Sequence, residues 1–426
     1  MIIRNVTVVD GTGGEPLTGA EVEVTDGRFT AVRPVTAQES ATAQEPAIDG
    51  RGGWLVPGLW ESHAHLSGFA IFQPEDKRVG HVSEALAGFA RAGITSVVNL
   101  GGPLDLELAV REHRRTATDP AAELYFAGPV FTGINGWPVQ DRVEMAPAGH
   151  QIDDPDVAYR LALDLADQVD VIKCIYDGEP GSPTKLPRAA LRAVAAAAHE
   201  KGRKVLVHVC RRVDLEEAVE AGADCIEHAF LPEHPDSDAE AVAMAKLLAE
   251  NGTLYCPTLV TWEQLGRNGE AAYLEELVAD GVITADDIPR ITGSPMYGRP
   301  FPHHPADECR IRFDYAMRTL RMMHEAGVKI VTGSDVSMVM PSPPVALLRE
   351  LQLLAKAGVP LPAVLAAGTR HAAEKIGLGD EVGTITQGAV ADALLLDADP
   401  LTDISHLVNP AHHIGVLRKG RFLTTD

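Results

Sequence analysis

Two histidines separated by one residue are the first feature of this sequence that could do chemistry. They are His63 and His65, in the stretch LWESHAHLSG, which follows the apolar approach WLVPG. In a β-strand the side chains of residues i and i+2 point the same way, so an H-x-H at a strand end presents two imidazoles to one point in space. That geometry chelates a metal ion. The alternative is a pair of strand histidines that face solvent or each other.

Further polar residues lie at the ends of apolar runs that are typical of buried strands. Lys173 lies in VIKCIY, His208 in VLVHV, His228 in CIEHA and Asp335 in TGSD. Alone, each has an ordinary structural explanation: a hydrogen-bonded buried histidine, a lysine paired with an acid, or an aspartate that caps a helix. Together with the H-x-H pair they make four histidines, one lysine and one aspartate at strand ends. Packing alone does not explain this set, which predicts a single site.

The middle of the chain, from 59 to 378, alternates short apolar strand patterns with helical patterns such as PRAALRAVAAAAHEKGR. Besides the strand that leads into His63, the predicted strands lie at 95–101, 122–128, 169–176, 204–209, 224–229, 253–259 and 329–335. Eight apolar strands separated by helices predict an α/β fold, a (β/α)8 TIM barrel. The alternative is an open doubly wound sheet, but no G-x-G-x-x-G follows an early strand. In a barrel the carboxyl ends of the strands share one face, so this fold brings the polar residues together.

Both ends of the chain are rich in strand and turn patterns instead. In the first segment, Asp-Gly and Gly-Gly dipeptides, which are hairpin signals, separate the strand patterns. The last segment has similar strand and turn patterns. We expect residues 1–58 and 379–426 to form one small β-sandwich domain, and residues 59–378 to form the barrel. The connections after the third and seventh predicted strands are long, and long loops inside compact domains are usually functional.

Charge and cysteine content exclude some partners. The 426 residues carry a formal net charge of −23, which argues against nucleic acid and against an anionic membrane surface. The five cysteines are scattered and lack C-x-x-C spacing, which predicts reduced thiols in a cytoplasmic protein. The N-terminus, MIIRNVTVVDG, has the pattern of a strand and not of a signal peptide, and no apolar run is long enough to span a bilayer. We expect a small-molecule substrate, a homo-oligomer, and neither nucleic acid nor a membrane as partner.

The ordered set of motifs resembles the amidohydrolase superfamily, the urease- and dihydroorotase-like metal-dependent hydrolases, over essentially the whole chain. VPGLWESHAHLS is similar to the family motif P-G-[LF]-[IV]-D-x-H-x-H, with Glu61 where aspartate is more common. DVIKCI, VLVHV, IEHA and IVTGSD are similar to its later ligand strands, and GTITQGAVADALLLDAD is similar to its return to the terminal sheet domain. The nearest resemblance is to the branch of imidazolonepropionase-like proteins, Xaa-Pro dipeptidases, Arg/Lys carboxypeptidases and ochratoxin amidases. This chain departs from the peptidases of that branch in its loops, for example at Phe230, near which they often carry a tyrosine.

The resemblance implies two divalent metal ions, which we expect to be Zn²⁺ because zinc binds imidazole and carboxylate ligands. It implies as ligands His63, His65 and Asp335 at one metal, His208 and His228 at the other, and Lys173 between them as a carbamate formed with CO2. An apolar strand end lowers the pKa of a lysine amine, so that part of it is neutral and can react with CO2. The resemblance also implies that a metal-bridging hydroxide attacks the substrate, and that Asp335 takes its proton and passes it to the leaving nitrogen. Asp335 and Lys173 are therefore the predicted catalytic residues.

Substrate selection must come from the loops. Arg211 and Arg212 follow His208 closely and could bind a substrate carboxylate, although each could instead be a solvated charge at a helix start. Tyr297 and His303, in the connection after the seventh predicted strand, could form a lid and bind substrate, although His303 could equally face solvent.

The leading interpretation is hydrolysis of a carbon–nitrogen bond in a small amide, an N-acyl amino acid or a dipeptide. The same site could attack a lactone, a carbamate or an organophosphate ester. A third alternative is a non-catalytic scaffold on the same fold, but such scaffolds typically lose metal ligands, and this chain has all six.

Overall fold

The computed structural model of the protein describes residues 1–35, 47–140, 143–177, 184–301, 304–335 and 343–424. These residues form a parallel barrel surrounded by helices and a mixed sheet that is built from both ends of the chain. The fold is therefore the predicted α/β barrel with a smaller terminal sheet. In the described part of the chain, no helix is both long enough and apolar enough to cross a membrane.

The terminal sheet has seven strands in the order β16-β15-β14-β4-β1-β2-β3. Their bounds are β1 Ile2–Val8, β2 Leu17–Thr25, β3 Arg28–Pro34, β4 Ile48–Pro57, β14 Ala393–Leu396, β15 His413–Arg418 and β16 Arg421–Thr424. β4 pairs with β14 antiparallel, with Leu55 opposite Leu395, so this pair joins the two ends of the chain. Asp26 and Gly27 both have positive φ angles between β2 and β3, which confirms the Asp-Gly hairpin signal. The exact division of the chain at 58/59 and 378/379 stays a prediction.

The barrel strands are parallel, and all but β8 and β9 lie within or next to the predicted ranges. Their bounds are β5 Leu59–Ala64, β6 Ile94–Asn99, β7 Glu123–Phe126, β8 Val130–Thr132, β9 Gly149–Gln151, β10 Ile172–Ile175, β11 Val205–His208, β12 Cys225–Glu227 and β13 Leu254–Cys256. They form two runs, β5-β6-β7 and β13-β12-β11-β10-β8-β9. The predicted third strand is split into β7 and β8, and β9 is a short addition from the long connection that follows it.

Main-chain hydrogen bonds close the two runs into a barrel. The Asp170 nitrogen donates to the Phe126 oxygen at 3.0 Å, next to β7. On the other side the predicted eighth strand is, within the described residues, a bridge between Ile330 and Tyr255. Two hydrogen bonds of 2.9 and 3.0 Å flank this bridge, from the Val331 nitrogen to the Tyr255 oxygen and from the Tyr255 nitrogen to the Lys329 oxygen.

Helices with one apolar face cover the barrel. In Arg188–Glu200, for example, Ala190, Leu191, Val194 and Ala198 are buried, at the spacing of one helical face. The remaining helices of the described residues are Leu66–Ala70, Arg78–Arg91, Leu104–Thr116, Pro155–Ala166, Arg212–Ala221, Ala239–Asn251, Leu259–Arg267, Ala271–Ala279, Ile288–Thr292, Ala306–Glu325, Pro343–Lys356, Leu361–Ala367, Arg370–Glu374 and Ser405–Val408. Short 3-10 turns occupy Glu75–Lys77, Val143–Ala148, Ala285–Asp287 and Pro410–His412.

Candidate metal centre

Asp335 lies against both histidines of the H-x-H motif. Its Oδ1 is 3.1 Å from His65 Nε2 and 3.7 Å from His63 Nε2. His63 is the penultimate residue of the fully buried strand β5, whereas the side chain of His65 is 27% exposed. The three ligand atoms lie within 4.8 Å of one another, as the ligands of one ion must. The alternating faces of β5 and the closure of the barrel therefore bring together the three residues predicted for the first metal.

The later strand ends bring two more histidines to the same place. The ring centroids of His208 and His228 are 4.4 Å apart, and those of His228 and His63 are 4.9 Å apart. His228 Nδ1 is 3.9 Å from Asp335 Oδ2, and it shares a 2.8 Å hydrogen bond with the Thr258 hydroxyl. All four predicted histidines therefore form one cluster with Asp335.

The backbone is strained where these side chains turn inward. His228, Thr258 and Asp335 have φ angles of 79°, 49° and 49°, which side chains other than glycine rarely adopt. His228 follows β12 directly, Thr258 lies two residues after β13, and Asp335 lies five residues after the bridge residue Ile330. Such strain costs of the order of 1–3 kcal/mol per residue and tends to persist at functional sites. Here it accompanies the inward turn of His228 and Asp335.

Lys173, in β10, is almost fully buried at 1% exposure. Its Nζ is one of the buried polar side-chain atoms that have no hydrogen-bond partner within the described residues, and His63 Nε2 is another. Burial lowers the pKa of Lys173 below the usual value for a lysine. A buried amine without a hydrogen-bond partner is costly as an ammonium ion, so burial increases the fraction of the neutral form, which can react with CO2.

The electrostatics of the histidines suit metal binding as well. Burial lowers the pKa values of His63, His208 and His228 well below the usual value, and the positive charge of Lys173 lowers all three further. These imidazoles are therefore neutral near pH 7, which is the form that binds a metal ion. Neutral imidazoles, one carboxylate and an amine that can become a carbamate are a donor set for zinc. The residues present therefore fit a divalent metal centre.

Glu61 has a role that the sequence did not reveal. The carboxylate is fully buried, accepts hydrogen bonds from the His63 nitrogen at 2.9 Å and the Ser334 nitrogen at 3.0 Å, and also accepts one from the Ser334 hydroxyl. Burial raises its pKa to about 7. Glu61 therefore joins the first and last strands of the barrel directly behind the ligands, where the family motif more often has aspartate.

Sequence reasoning also missed Glu227 and Lys375. Both side chains are fully buried, and Glu227 Oε2 lies 2.7 Å from His63 Nδ1. The signal available in the sequence was the acid directly before His228 in CIEHA, but nothing local indicated that it reaches another strand.

The predicted substrate-binding residues have different surroundings. The guanidinium of Arg212 donates to Glu216 Oε1 at 2.5 Å and lies 3.7 Å from both Glu233 and Glu240. Within the described ranges, by contrast, no carboxylate forms an ion pair with Arg211, which is half-buried and precedes the helix Arg212–Ala221. Of the pair, Arg211 is therefore the one without an ion-pair partner among the described residues, and a substrate-binding role for it stays a prediction.

Tyr297 packs against an apolar cluster of the connection after β13, whose buried members include Tyr273, Leu277 and Ile291. His303 lies outside the described residues. A substrate-binding role for either residue stays a prediction.

Aromatic side chains border the histidine cluster. The ring of Trp262 contacts the rings of His228 and His304, with centroids 5.9 and 5.7 Å apart. The buried guanidinium of Arg312 lies over Trp262, 4.6 Å from the ring centroid. The helices that follow β13 therefore supply an aromatic wall and a buried positive charge beside the site.

The fold and this site define a class of enzyme. The model of the Amidohydrolase family matches residues 54–423, so the chain belongs to this family and is a hydrolase of carbon–nitrogen bonds. The family generally uses divalent metal ions, in agreement with the donor set described above.

Relatives of known activity span nearly the whole chain. The imidazolonepropionase of Acidiphilium cryptum is 26% identical over 411 residues, which are 92% of this chain and 90% of the relative. The ochratoxinase of Aspergillus niger is 25% identical over 450 residues, which cover 96% of this chain and 83% of the relative. A prolidase solved in complex with N-methylphosphonate-L-proline has a TM-score of 0.77 at 21% identity, with 99% of both chains covered. The structural likeness confirms the predicted barrel fold.

Proposed function

We propose that the protein hydrolyses an amide bond in a small molecule, such as an N-acyl amino acid or a dipeptide, at a centre of two Zn²⁺ ions. The observation that carries the proposal is the buried Lys173 Nζ, without a hydrogen-bond partner in the described part of the chain, beside neutral histidines and Asp335. A structural lysine at that depth would be paired with an acid. A lysine that becomes a metal-bridging carbamate needs no such partner.

The proposed ligands are those predicted from the sequence. His63, His65 and Asp335 would hold one ion, His208 and His228 the other, and Lys173 would bridge them. When bound, the ions would supply Lewis-acid activation of water and of the substrate carbonyl. The neutral Lys173 amine would attack CO2, form a carbon–nitrogen bond and release one proton, which leaves a carbamate with a single negative charge.

Asp335 would be the group that moves the proton. It is more exposed than the residues behind it, with 18% of its side chain accessible against 0% for His63, so it can reach both a water molecule and a substrate. An amide nitrogen leaves poorly unless it is protonated. A carboxylate that first accepts a proton and then delivers it to that nitrogen meets the requirement with one residue.

A carboxylate on the substrate would find a cation in Arg211, which has no ion pair among the described residues. The similarity to a prolidase that was solved with N-methylphosphonate-L-proline supports this substrate class, since the proline part of that compound carries a carboxylate.

The experiment is metal analysis combined with a substrate screen. Protein purified with added Zn²⁺ and bicarbonate should contain close to two metals per chain and should hydrolyse at least one N-acyl amino acid or dipeptide. Lactones, carbamates and phosphotriesters belong in the same screen. If only those compounds are hydrolysed, the site acts on a bond other than the proposed amide. Absence of bound metal would refute the proposal.

A further inference from the structure

Glu227 reaches across from its own strand to a ligand on another strand. It ends β12, one residue before His228, yet its Oε2 lies 2.7 Å from Nδ1 of His63. Both side chains are fully buried. At this distance and depth the contact is a hydrogen bond shielded from water.

The second oxygen of Glu227 is held as well. Oε1 lies 2.8 Å from Lys375 Nζ, and this side chain is also fully buried. Lys375 Nζ in turn donates to the main-chain oxygen of Ser62 at 2.9 Å and lies 3.1 Å from its hydroxyl. The ammonium group therefore compensates the buried carboxylate and at the same time holds the backbone directly before His63.

The arrangement decides which ring nitrogen of His63 carries the proton. A carboxylate that is ion-paired with an ammonium group can only accept hydrogen bonds, so Nδ1 of His63 must be the donor. A neutral imidazole has one N–H, and Nε2 is then the nitrogen with a free lone pair. Nε2 is the atom that lies 3.7 Å from Asp335, and it has no hydrogen-bond partner in the ranges that the structure describes.

We propose that Glu227, held in place by Lys375, is a positioning residue that keeps His63 in the Nδ1–H tautomer and so presents Nε2 to the metal. The proposal rests on the proposed function, because it concerns a ligand of that same centre. A carboxylate behind a metal-bound histidine fixes the ring and makes it more basic, and its loss typically costs about 10–100-fold in metal affinity or activity.

The first test uses the unmodified protein without metal. A two-bond ¹H–¹⁵N correlation spectrum of histidine-labelled protein separates protonated from unprotonated ring nitrogens, and comparison with His63→Asn assigns the signals of His63. We expect the Nδ1–H tautomer. An Nε2–H tautomer would overturn the proposal. The tautomer is read from the wild-type protein, and His63→Asn serves only to assign its signals.

The second test measures zinc affinity by competition with a chromophoric chelator. Glu227→Gln keeps the size of the side chain but removes its charge, and it should weaken binding of the first-site ion about 10–100-fold. The matched control is Asp392→Asn. Asp392 also forms a buried ion pair, with Arg418 at 2.9 Å, but in the terminal sheet. This control should change affinity less than about twofold, even if it destabilises the fold as much.

Equal zinc affinity of wild type and Glu227→Gln would refute the proposal. It would mean that the Glu227–Lys375 ion pair only stabilises the fold. Failure of the proposed function would look different. Wild type that binds no metal refutes the metal centre, whereas wild type that binds two ions with unchanged affinity in Glu227→Gln refutes only the positioning role.

Discussion

The main-chain nitrogen of Asp335 donates a 2.8 Å hydrogen bond to the main-chain oxygen of His63, and the side chains of the same two residues face each other at 3.7 Å. His63 lies near the end of the first barrel strand, and Asp335 follows the bridge at Ile330 that marks the last one. The contacts that close the barrel here therefore also bring two of the proposed metal ligands together. Glu61 reinforces this seam through its hydrogen bonds to the backbone of His63 and Ser334.

Replacing Lys173 with alanine should lower the metal content below two ions per chain and reduce activity by orders of magnitude, because the proposed bridge is lost. Elemental analysis and steady-state rates, both with added bicarbonate, measure this. Lys204→Ala is the control. Lys204 precedes β11, at the opposite end of the barrel, and pairs with Asp224 at 2.8 Å, so this variant should keep both ions. A fully active Lys173→Ala with normal metal content would contradict the carbamate bridge.

Asp335→Asn keeps the size of the side chain and one oxygen ligand but removes the proton acceptor. We expect kcat to fall by about 10²–10⁴, the range typical of general acid–base catalysis. Metal content, measured on the same preparation, separates loss of the proton carrier from loss of a ligand. Rates within a few-fold of wild type would show that another residue carries the proton.

Arg211→Met should reduce kcat/KM for a substrate with a free carboxylate but not for its methyl ester. Removing one partner of a buried guanidinium–carboxylate pair typically costs about 2–5 kcal/mol. We expect the loss of transition-state stabilisation caused by Arg211→Met to differ between acid and ester by this amount. Arg212→Met is the matched control, since that guanidinium is engaged by Glu216 and lies near Glu233 and Glu240. If the ratio of kcat/KM for the acid to kcat/KM for the ester is the same in Arg211→Met and wild type, the carboxylate is bound elsewhere or the natural substrate is neutral.

Glu350 gives the fold a defined dependence on pH. It is fully buried, and burial raises its pKa from 4.5 to about 8, although its carboxylate accepts hydrogen bonds from the Leu259 and Val260 nitrogens. Between pH 4.5 and about 8 the folded chain keeps a proton at Glu350 that the unfolded chain has released. The folded state therefore loses stability as the pH rises through this window.

The Glu350→Gln variant cannot release that proton, so wild type should lose free energy of unfolding relative to this variant between pH 5 and about 8. Urea unfolding of chelator-treated protein measures the difference without a contribution from metal binding. Glu250→Gln, at an exposed helix position, should follow the wild-type pH dependence. Parallel stability curves for wild type and Glu350→Gln would show that Glu350 does not titrate in this range.

The cluster of proposed ligands could be predicted from the sequence because each part of the signal is local. Alternation along β5 places His63 and His65 on one side, and an apolar run that ends in a histidine or lysine marks a strand end wherever it occurs. The barrel follows from the repetition of such runs between helical patterns, and its geometry then gathers the strand ends on one face. The Asp-Gly turn at residues 26 and 27 is equally local.

The partners of these residues depended on the tertiary structure. Glu227 and Lys375 are far from His63 in sequence. They meet it only because the barrel brings the end of β12, the end of β5 and the end of the helix Arg370–Glu374 to one buried space. The same holds for Arg212, because Glu240, one of the acids around it, lies on the next helix along the chain. Sequence periodicity reports which face a residue occupies, whereas hydrogen-bond partners depend on the packing of elements distant in the chain. The proposed ligands could therefore be identified from the sequence, whereas the contacts around them depend on the tertiary fold.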